Sequence, residues 1–264
     1  MSAGRGAKVY VVAKGRTLGS VASGSKAKLV RGFEAVPSTG RSARETLVVT
    51  DDAATFRSAT SRARRFSTRV VVLDEVSPTQ LDILRTLFAR VFAEYPGMKR
   101  LAEDQLLEVL AAPDATELFV AGAIDRELDA LVLYRGILER IVAPLTSFTP
   151  APGATPDFGR FEIGEFGHSI RLGDYEASAD AMLYEHDPLY RRAARKRQLA
   201  HDPSLGASIR RLRLQRGVAR TEFPGVSDKQ IARIERGETP RPRADTLRVI
   251  AERLRVRVDE LGSF

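Results

Sequence analysis

From residue 204 to 264 the chain is cut at short intervals by helix breakers: Gly217, the pair Pro224 and Gly225, Gly237, and Pro240 with Pro242. Glycine reaches positive φ without strain and proline cannot continue a helix, so only short helices fit between these points. The apolar spacing predicts them over residues 205–216, very briefly over 218–223, over 227–236 and over 243–254, with a last turn from Asp259. Leu205, Ile209 and Leu212 line the first. Val226, Ile231 and Ile234 line the third. Leu247, Ile250, Ala251 and Leu254 line the fourth, and Leu261 closes the core. Ser204 and Ser227 stand at N-cap positions, and Gln230 three residues after Ser227 makes the Ser-x-x-Gln capping-box pattern. Gly217 and Gly237 stand where C′ glycines end helices, and Gly225 supplies a tight, positive-φ turn. The expectation is an all-α domain of five helices.

Charge is concentrated in the same region. The chain carries 42 Lys+Arg and 34 Asp+Glu, a net charge of +8. Residues 191–264 hold 19 basic and 9 acidic residues, or +10, which leaves −2 for the rest. A basic excess confined to one segment is the electrostatic footprint of a nucleic-acid binder, although a solvated basic surface has the same composition. Within it, Lys229, Gln230 and Arg233 fall off the apolar stripe of the third helix and face outward.

These residues, in order, carry a family resemblance. Leu205-Gly-Ala-Ser-Ile-Arg-Arg-Leu-Arg, Gly217, Gly225-Val-Ser, Ile231-Ala-Arg-Ile-Glu-Arg-Gly-Glu, Thr246-Leu and Val256-x-Val-Asp-Glu-Leu are similar to the Cro/C1 (xenobiotic-response-element type) helix-turn-helix family. The resemblance covers residues 204–264 and no others. It implies a sequence-specific transcriptional regulator, a repressor or an activator, with the helix at 227–236 in the major groove. Ser227, Asp228, Lys229, Gln230 and Arg233 are then the contacts at its exposed face: Gln reads adenine, Lys or Arg guanine, and Asp cytosine. Arg220, Arg241 and Arg243 are the phosphate candidates. Glu235 is expected to be a salt-bridge partner inside the domain. The implied partners are double-stranded DNA and a second copy of the chain on a pseudo-palindromic site. One departure stands out: the segment before Gly225 is short, Arg220 stands near the place of the family's glutamine, and Pro224 truncates the helix.

Residues 1–115 read as a small α/β domain. Strands are predicted over 8–13, 46–50 and 69–73, and helices over 51–66, 78–92 and 101–111, with residues 15–25 as a Gly/Ser-rich turn region. Residues 70–75 resemble the acidic strand end of a nucleotide hydrolase. The phosphate loop is missing: Gly19 and Gly24 have the spacing, but Ser25 stands where the lysine must be and Lys26 where the hydroxyl must be. An ordinary strand ending in a capping Asp is the plainer reading.

Residues 116–186 read as a β-rich module, with strands over 117–123, 130–134 and 138–143, an irregular loop over 149–159, a hairpin about Gly167 and helical character over 174–184. Phe161, Glu162, Ile163, Gly167, Ile170, Leu172, Asp174, Tyr175 and Glu176 resemble a small bacterial domain of unknown function sometimes found before DNA-binding modules. Asp174, Glu176, Asp180 and His186 form the one local acid/base cluster, and a capping or surface role suits them. His168 reads as a half-buried structural histidine. Residues 187–203 form a basic linker helix bearing Arg191, Arg192, Arg195, Lys196 and Arg197.

The whole is expected to be an α+β chain, with a small α/β and β-rich region ahead of the five-helix domain. There is no cysteine, and His168, His186 and His201 are far apart, so no cofactor or metal is expected. No apolar run reaches the ~20 residues of a membrane span, and residues 1–6 lack the apolar core of a secretory signal. A cytoplasmic, non-enzymatic protein follows as the expectation. Two other readings fit the same residues. One is an antitoxin-like interaction protein whose N-terminal region binds a partner and whose C-terminal domain represses its own operon. The other is an enzyme with a DNA-binding tail, for which only residues 70–75 speak.

Overall fold

The computed structural model describes residues 6–37, 40–61, 65–150 and 153–263. The chain is mixed α/β and divides into two compact units, one running to Asp187 and one from Pro188 to Phe264. Among the described residues no helix is long and apolar enough to cross a membrane.

The first unit is built on a five-stranded, wholly parallel sheet. Its strands are β1 (Lys8–Val12), β2 (Lys28–Leu29), β3 (Thr46–Thr50), β4 (Phe66–Val72) and β5 (Phe88–Ala93), in the order β2-β1-β3-β4-β5. This is a doubly wound order whose direction switches between β1 and β3. Both faces are covered, which is why these strands read as continuous apolar runs rather than alternating ones. Val9, Val11, Leu47, Val49 and Val71 pack with Leu18 and Ala22 of α1 (Arg16–Ser23) and with Leu106 and Leu110 of α5 (Glu103–Ala111). Val12, Val48, Val70 and Val72 pack on the other face against Phe33, Phe56, Ala59 of α3 (Arg57–Thr60) and Leu84 of α4 (Pro78–Leu87). Phe33, Phe56, Phe66 and Phe88 form a ring cluster there, with centroids 4.9–5.5 Å apart and mostly edge-to-face. Each such pair adds about 0.5–1.5 kcal/mol beyond its buried area. A short α2 (Gly40–Arg44) precedes β3.

Several expectations change here. Residues 15–25 contain α1: the glycines and serines lower its helix propensity, but Leu18 and Ala22, one turn apart, dock on the sheet and decide the matter. The helix over 51–66 is only a 3₁₀ turn (Ala53–Phe56) plus α3. The helix over 78–92 stops at Leu87, and the next six residues become the edge strand β5, pairing Val70 with Val91 and Val71 with Phe92. An apolar run such as Phe-Ala-Arg-Val-Phe-Ala satisfies both periods, and sheet pairing selects one. The start of α4 was only partly legible. Besides Pro78 at its first turn, Ser77 and Gln80 form a reciprocal capping box, with Ser77 Oγ accepting from Gln80 N at 3.2 Å and Gln80 Oε1 accepting from Ser77 N at 2.8 Å.

Two antiparallel sheets complete this unit. One has the order β6 (Lys99–Arg100), β7 (Phe119–Asp125), β8 (Ala130–Arg135) and β9 (Arg140–Pro144). The other is β10 (Pro156–Ile163), β11 (Ser169–Gly173) and β12 (Tyr175–Ser178), followed by α6 (Ala179–His186). The hairpin about Gly167 is present, with Phe161 opposite Leu172 and Ile163 opposite Ile170. Residues 175–178, expected as helical, are a strand, and β10 begins inside the expected loop. Residues 1–115 and 116–186, read above as separate modules, share one core: Val120, Ala121 and Tyr134 pack with Val9, Val11 and Leu107.

The second unit contains α7 (Pro188–His201), α8 (Leu205–Gln215), α9 (Asp228–Glu235) and α10 (Ala244–Leu254), with 3₁₀ turns at Arg220–Glu222 and Val258–Gly262. Two of the five expected helices are therefore single 3₁₀ turns. Ile209, Leu212, Val218, Phe223, Val226, Ile231, Ile234, Ile250, Leu254 and Leu261 form its core.

Candidate nucleic-acid interface

α9 is defined at both ends by local chemistry. Ser227 Oγ accepts from Gln230 N at 3.2 Å, satisfying one free N–H of the first turn. Only this half of the expected capping box forms, so the Gln230 side chain is not committed to the cap. At the other end Gly237, at φ +76, lets its N–H reach Ile234 O and the next N–H, of Glu238, reach Arg233 O at 2.9 Å each, a Schellman closure. Gly217, at φ +65, closes α8 in the same way, through Leu214 O and Arg213 O. Gly225, at φ +71, makes the turn into α9.

The helix is held against α8 by an unusually close approach. A methyl group placed on Gly206 would come 2.0 Å from Ile234 O, so only a glycine allows this crossing. Beside it lies an ion cluster. Arg213 donates from Nε to Glu235 Oε1 at 2.5 Å and from Nη1 to Val218 O at 2.8 Å. Arg220 donates to Glu235 Oε2 from Nε at 2.9 Å and from Nη2 at 2.7 Å. The Glu235 side chain is 1% exposed. Burial on its own would raise its carboxyl, but the hydrogen bonds and charges of Arg213 and Arg220 outweigh this and hold it below the ordinary carboxylate range. Glu235 is thus a salt-bridge partner inside the unit.

With Ile231, Ala232, Ile234 and Glu235 buried, Ser227, Asp228, Lys229, Gln230 and Arg233 are all exposed on the remaining face. Of these, Asp228, Lys229 and Arg233 border a shallow depression of about 370 Å³ between the 3₁₀ turn and α9, which also receives Arg220, Arg236 and Glu238. Arg241 and Arg243 are exposed in the following loop. Arg220 differs from them: it is half-buried and two of its nitrogens bind Glu235. Glu238 places a negative charge at the rim, 2.5 Å from Arg236 Nε and 3.6 Å from Arg233 Nε. The hydrogen bond from Arg236, with the charges of Arg236 and Arg233, holds the Glu238 carboxyl below its usual range.

Glu222 ties the 3₁₀ turn to α10. Its carboxylate accepts from Ala219 N at 2.7 Å and pairs with Arg253, whose Nε also reaches Glu222 O at 3.0 Å. Arg220, which stands near the place of the family's glutamine, is therefore at the start of a braced turn rather than on a helix.

The other residues singled out in the sequence lie elsewhere. Gly19 is inside α1 and Gly24 at its end, so no phosphate-binding loop exists there. The N–H groups of Lys14 and Gly15, at the switch point after β1, are both taken at 2.7 Å by the carboxylate of Asp51. Asp74 and Glu75 border a separate cleft with Asp52 and Gln80. In the acid/base cluster, Glu176 accepts from Ser169 Oγ at 2.6 Å, while His186 Nε2 lies 3.5 Å from Ser147 Oγ. His168 is exposed rather than half-buried, because the turn before β11 points its side chain out of the sheet. In α7, Arg192, Arg195, Lys196 and Arg197 are exposed, and the Arg197 guanidinium sits 5.3 Å from the centre of the Tyr190 ring.

Gly206 and Arg213 were within the residues that carry the family resemblance, but nothing in their spacing names their roles. No family model matches the chain, and no curated protein or solved structure matches it either.

Proposed function

We propose that this chain is a sequence-specific DNA-binding transcriptional regulator of the helix-turn-helix kind, whose α9 enters the major groove as part of a homodimer on a pseudo-palindromic site. The observation that carries this reading is the division of α9 into two faces. One side is locked down by Ile231, Ile234 and the Glu235 cluster, while Asp228, Lys229, Gln230 and Arg233 stand exposed on the other. A reading helix needs both properties: rigid placement, and side chains able to reach base edges. Gln230, released from the cap, has both amide atoms available for adenine. Arg233 touches only the exposed Glu238, and surface ion pairs contribute little, so a guanine or phosphate can replace that partner. Arg241 and Arg243 supply phosphate contacts. Arg220 acts chiefly by fixing Glu235. The five-helix organisation, with its two shortened helices, belongs to this proposal.

The test is selection of bound DNA from a random duplex library, followed by gel-shift at physiological salt. Gln230→Ala and Arg233→Ala are each expected to cost about 1–3 kcal/mol on the selected site and to relax preference at one base position. If both variants bind as the wild type does, α9 is not the reading helix.

A further inference from the structure

The parallel sheet brings two arginines side by side. In the register of β4 and β5, Arg69 is the direct partner of Arg90, so their side chains leave the same face of adjacent strands. Like charges in direct register repel, and a protein normally separates them or places a counter-charge between them. Arg90 has one: it donates to Ile137 O at 3.0 Å and to Glu139 at 2.5 Å. Arg69 has none. Its Nε is buried without a hydrogen-bond partner, and among the described residues no carboxylate comes within 4.0 Å of its guanidinium. Burial, and then the charge of Arg90, pull its pKa below the ordinary arginine value, against the opposing charge of Glu139.

The two side chains border a cavity of about 510 Å³ at the N-terminal edge of the sheet, which Arg44, Ser67 and Thr116 also line. That volume is in the range of small-molecule sites. Arg44 forms no ion pair among the described residues, and Glu45 is the one acidic side chain on the wall. We infer that this cavity is a binding site for the phosphate group of a small molecule, held between the guanidinium groups of Arg69 and Arg44 with Arg90 behind them. A guanidinium fork with an unused Nε–H presents two parallel donors, the arrangement that grips a phosphate or carboxylate through two oxygens. Three arginines lining one cavity suit the higher charge of a phosphate monoester. The hydroxyls of Ser67 and Thr116 can donate to the remaining oxygens. Doubly wound sheets usually bind ligands at the opposite edge, but there Asp51 already occupies the N–H groups of Lys14 and Gly15.

The inference does not depend on DNA binding, and neither does its test. The full chain is titrated calorimetrically, at constant ionic strength in chloride, with inorganic phosphate, with adenosine 5′-monophosphate and with adenosine. Saturable binding is expected for the first two and none for adenosine. Arg69→Gln and Arg44→Gln should each weaken binding at least tenfold, while Arg57→Gln, an exposed position on α3 away from the cavity, should leave it unchanged. Phosphate should raise the unfolding temperature of the wild type and not that of Arg69→Gln. Arg44 is exposed, so its variant reports even if Arg69→Gln fails to fold. Absence of saturable binding to the wild type, wild-type affinity in Arg44→Gln, or an equal loss in Arg57→Gln would overturn the proposal.

Discussion

Arg213 Nε lies 2.5 Å from Glu235 Oε1, and Arg220 grips the other carboxylate oxygen, so one buried acid joins the end of α8, the 3₁₀ turn and the last turn of α9. Removing one partner of a buried pair costs about 3–5 kcal/mol, because the charge left behind has lost its solvation and its counter-ion. Glu235→Ala is expected to destabilise the second unit by that amount, read from the urea midpoint of its own transition. The pH dependence follows from the depressed carboxyl. Its stabilisation is complete above the ordinary carboxylate value and is lost as pH falls through the lower folded value, since the unfolded chain takes up the proton first. Acid unfolding of this unit should therefore steepen below about pH 4.5, and the slope should flatten in Glu235→Gln. An unchanged acid limb in that variant would count against the cluster as the source.

Gly206 is the point of closest approach between α8 and α9. In Gly206→Ala the new methyl cannot fit 2.0 Å from Ile234 O, so the helices must separate. Alanine is the better helix former by about 1 kcal/mol, and a surface glycine would gain from the change. Here overpacking, about 1–3 kcal/mol or more, wins. A lower urea midpoint, with DNA affinity falling as α9 shifts, is the expected result. A stability gain would show that the approach is not as close as described.

Arg255 ends α10 at φ +53, in the same Schellman arrangement that Gly217 and Gly237 make, with Val256 N reaching Ala251 O and Arg255 N reaching Glu252 O. A side chain in the left-handed region costs about 1–2 kcal/mol, partly offset by the greater unfolded freedom of glycine. Arg255→Gly should thus stabilise the second unit by roughly 1 kcal/mol, visible as a rise in its unfolding temperature. Arg255→Ala should not.

Glu238 is one of two acidic residues, with Asp228, that line the depression beside α9. If α9 faces DNA, Glu238→Ala removes a repulsive charge and frees Arg233 and Arg236. Operator affinity should rise severalfold at low salt, and the gain should shrink as salt is added, because the charge is exposed and screened. An affinity unchanged at low salt would place the DNA elsewhere.

How much was legible in the sequence differs between the two units, and the reason is the range of the forces involved. Gly217, Gly225 and Gly237 take positive φ, and Ser204 and Ser227 cap their helices, because these are properties of a few consecutive residues. The inward positions of α8, α9 and α10 follow from helical spacing in the same way. The parallel strands β1, β3 and β4 were visible as apolar runs. What needed the tertiary structure was every feature that depends on a distant partner. Residues 88–93 became a strand because β4 offered an edge to pair with. Leu18 and Ala22 made α1 a helix by docking on the sheet. Arg220, at a position that suggested phosphate, is turned toward Glu235, and Gly206 matters because Ile234 crosses it. The juxtaposition of Arg69 and Arg90 is the clearest case. Neither residue stands out along the chain, and their repulsion, with the cavity beside it, exists only once β4 and β5 lie in register.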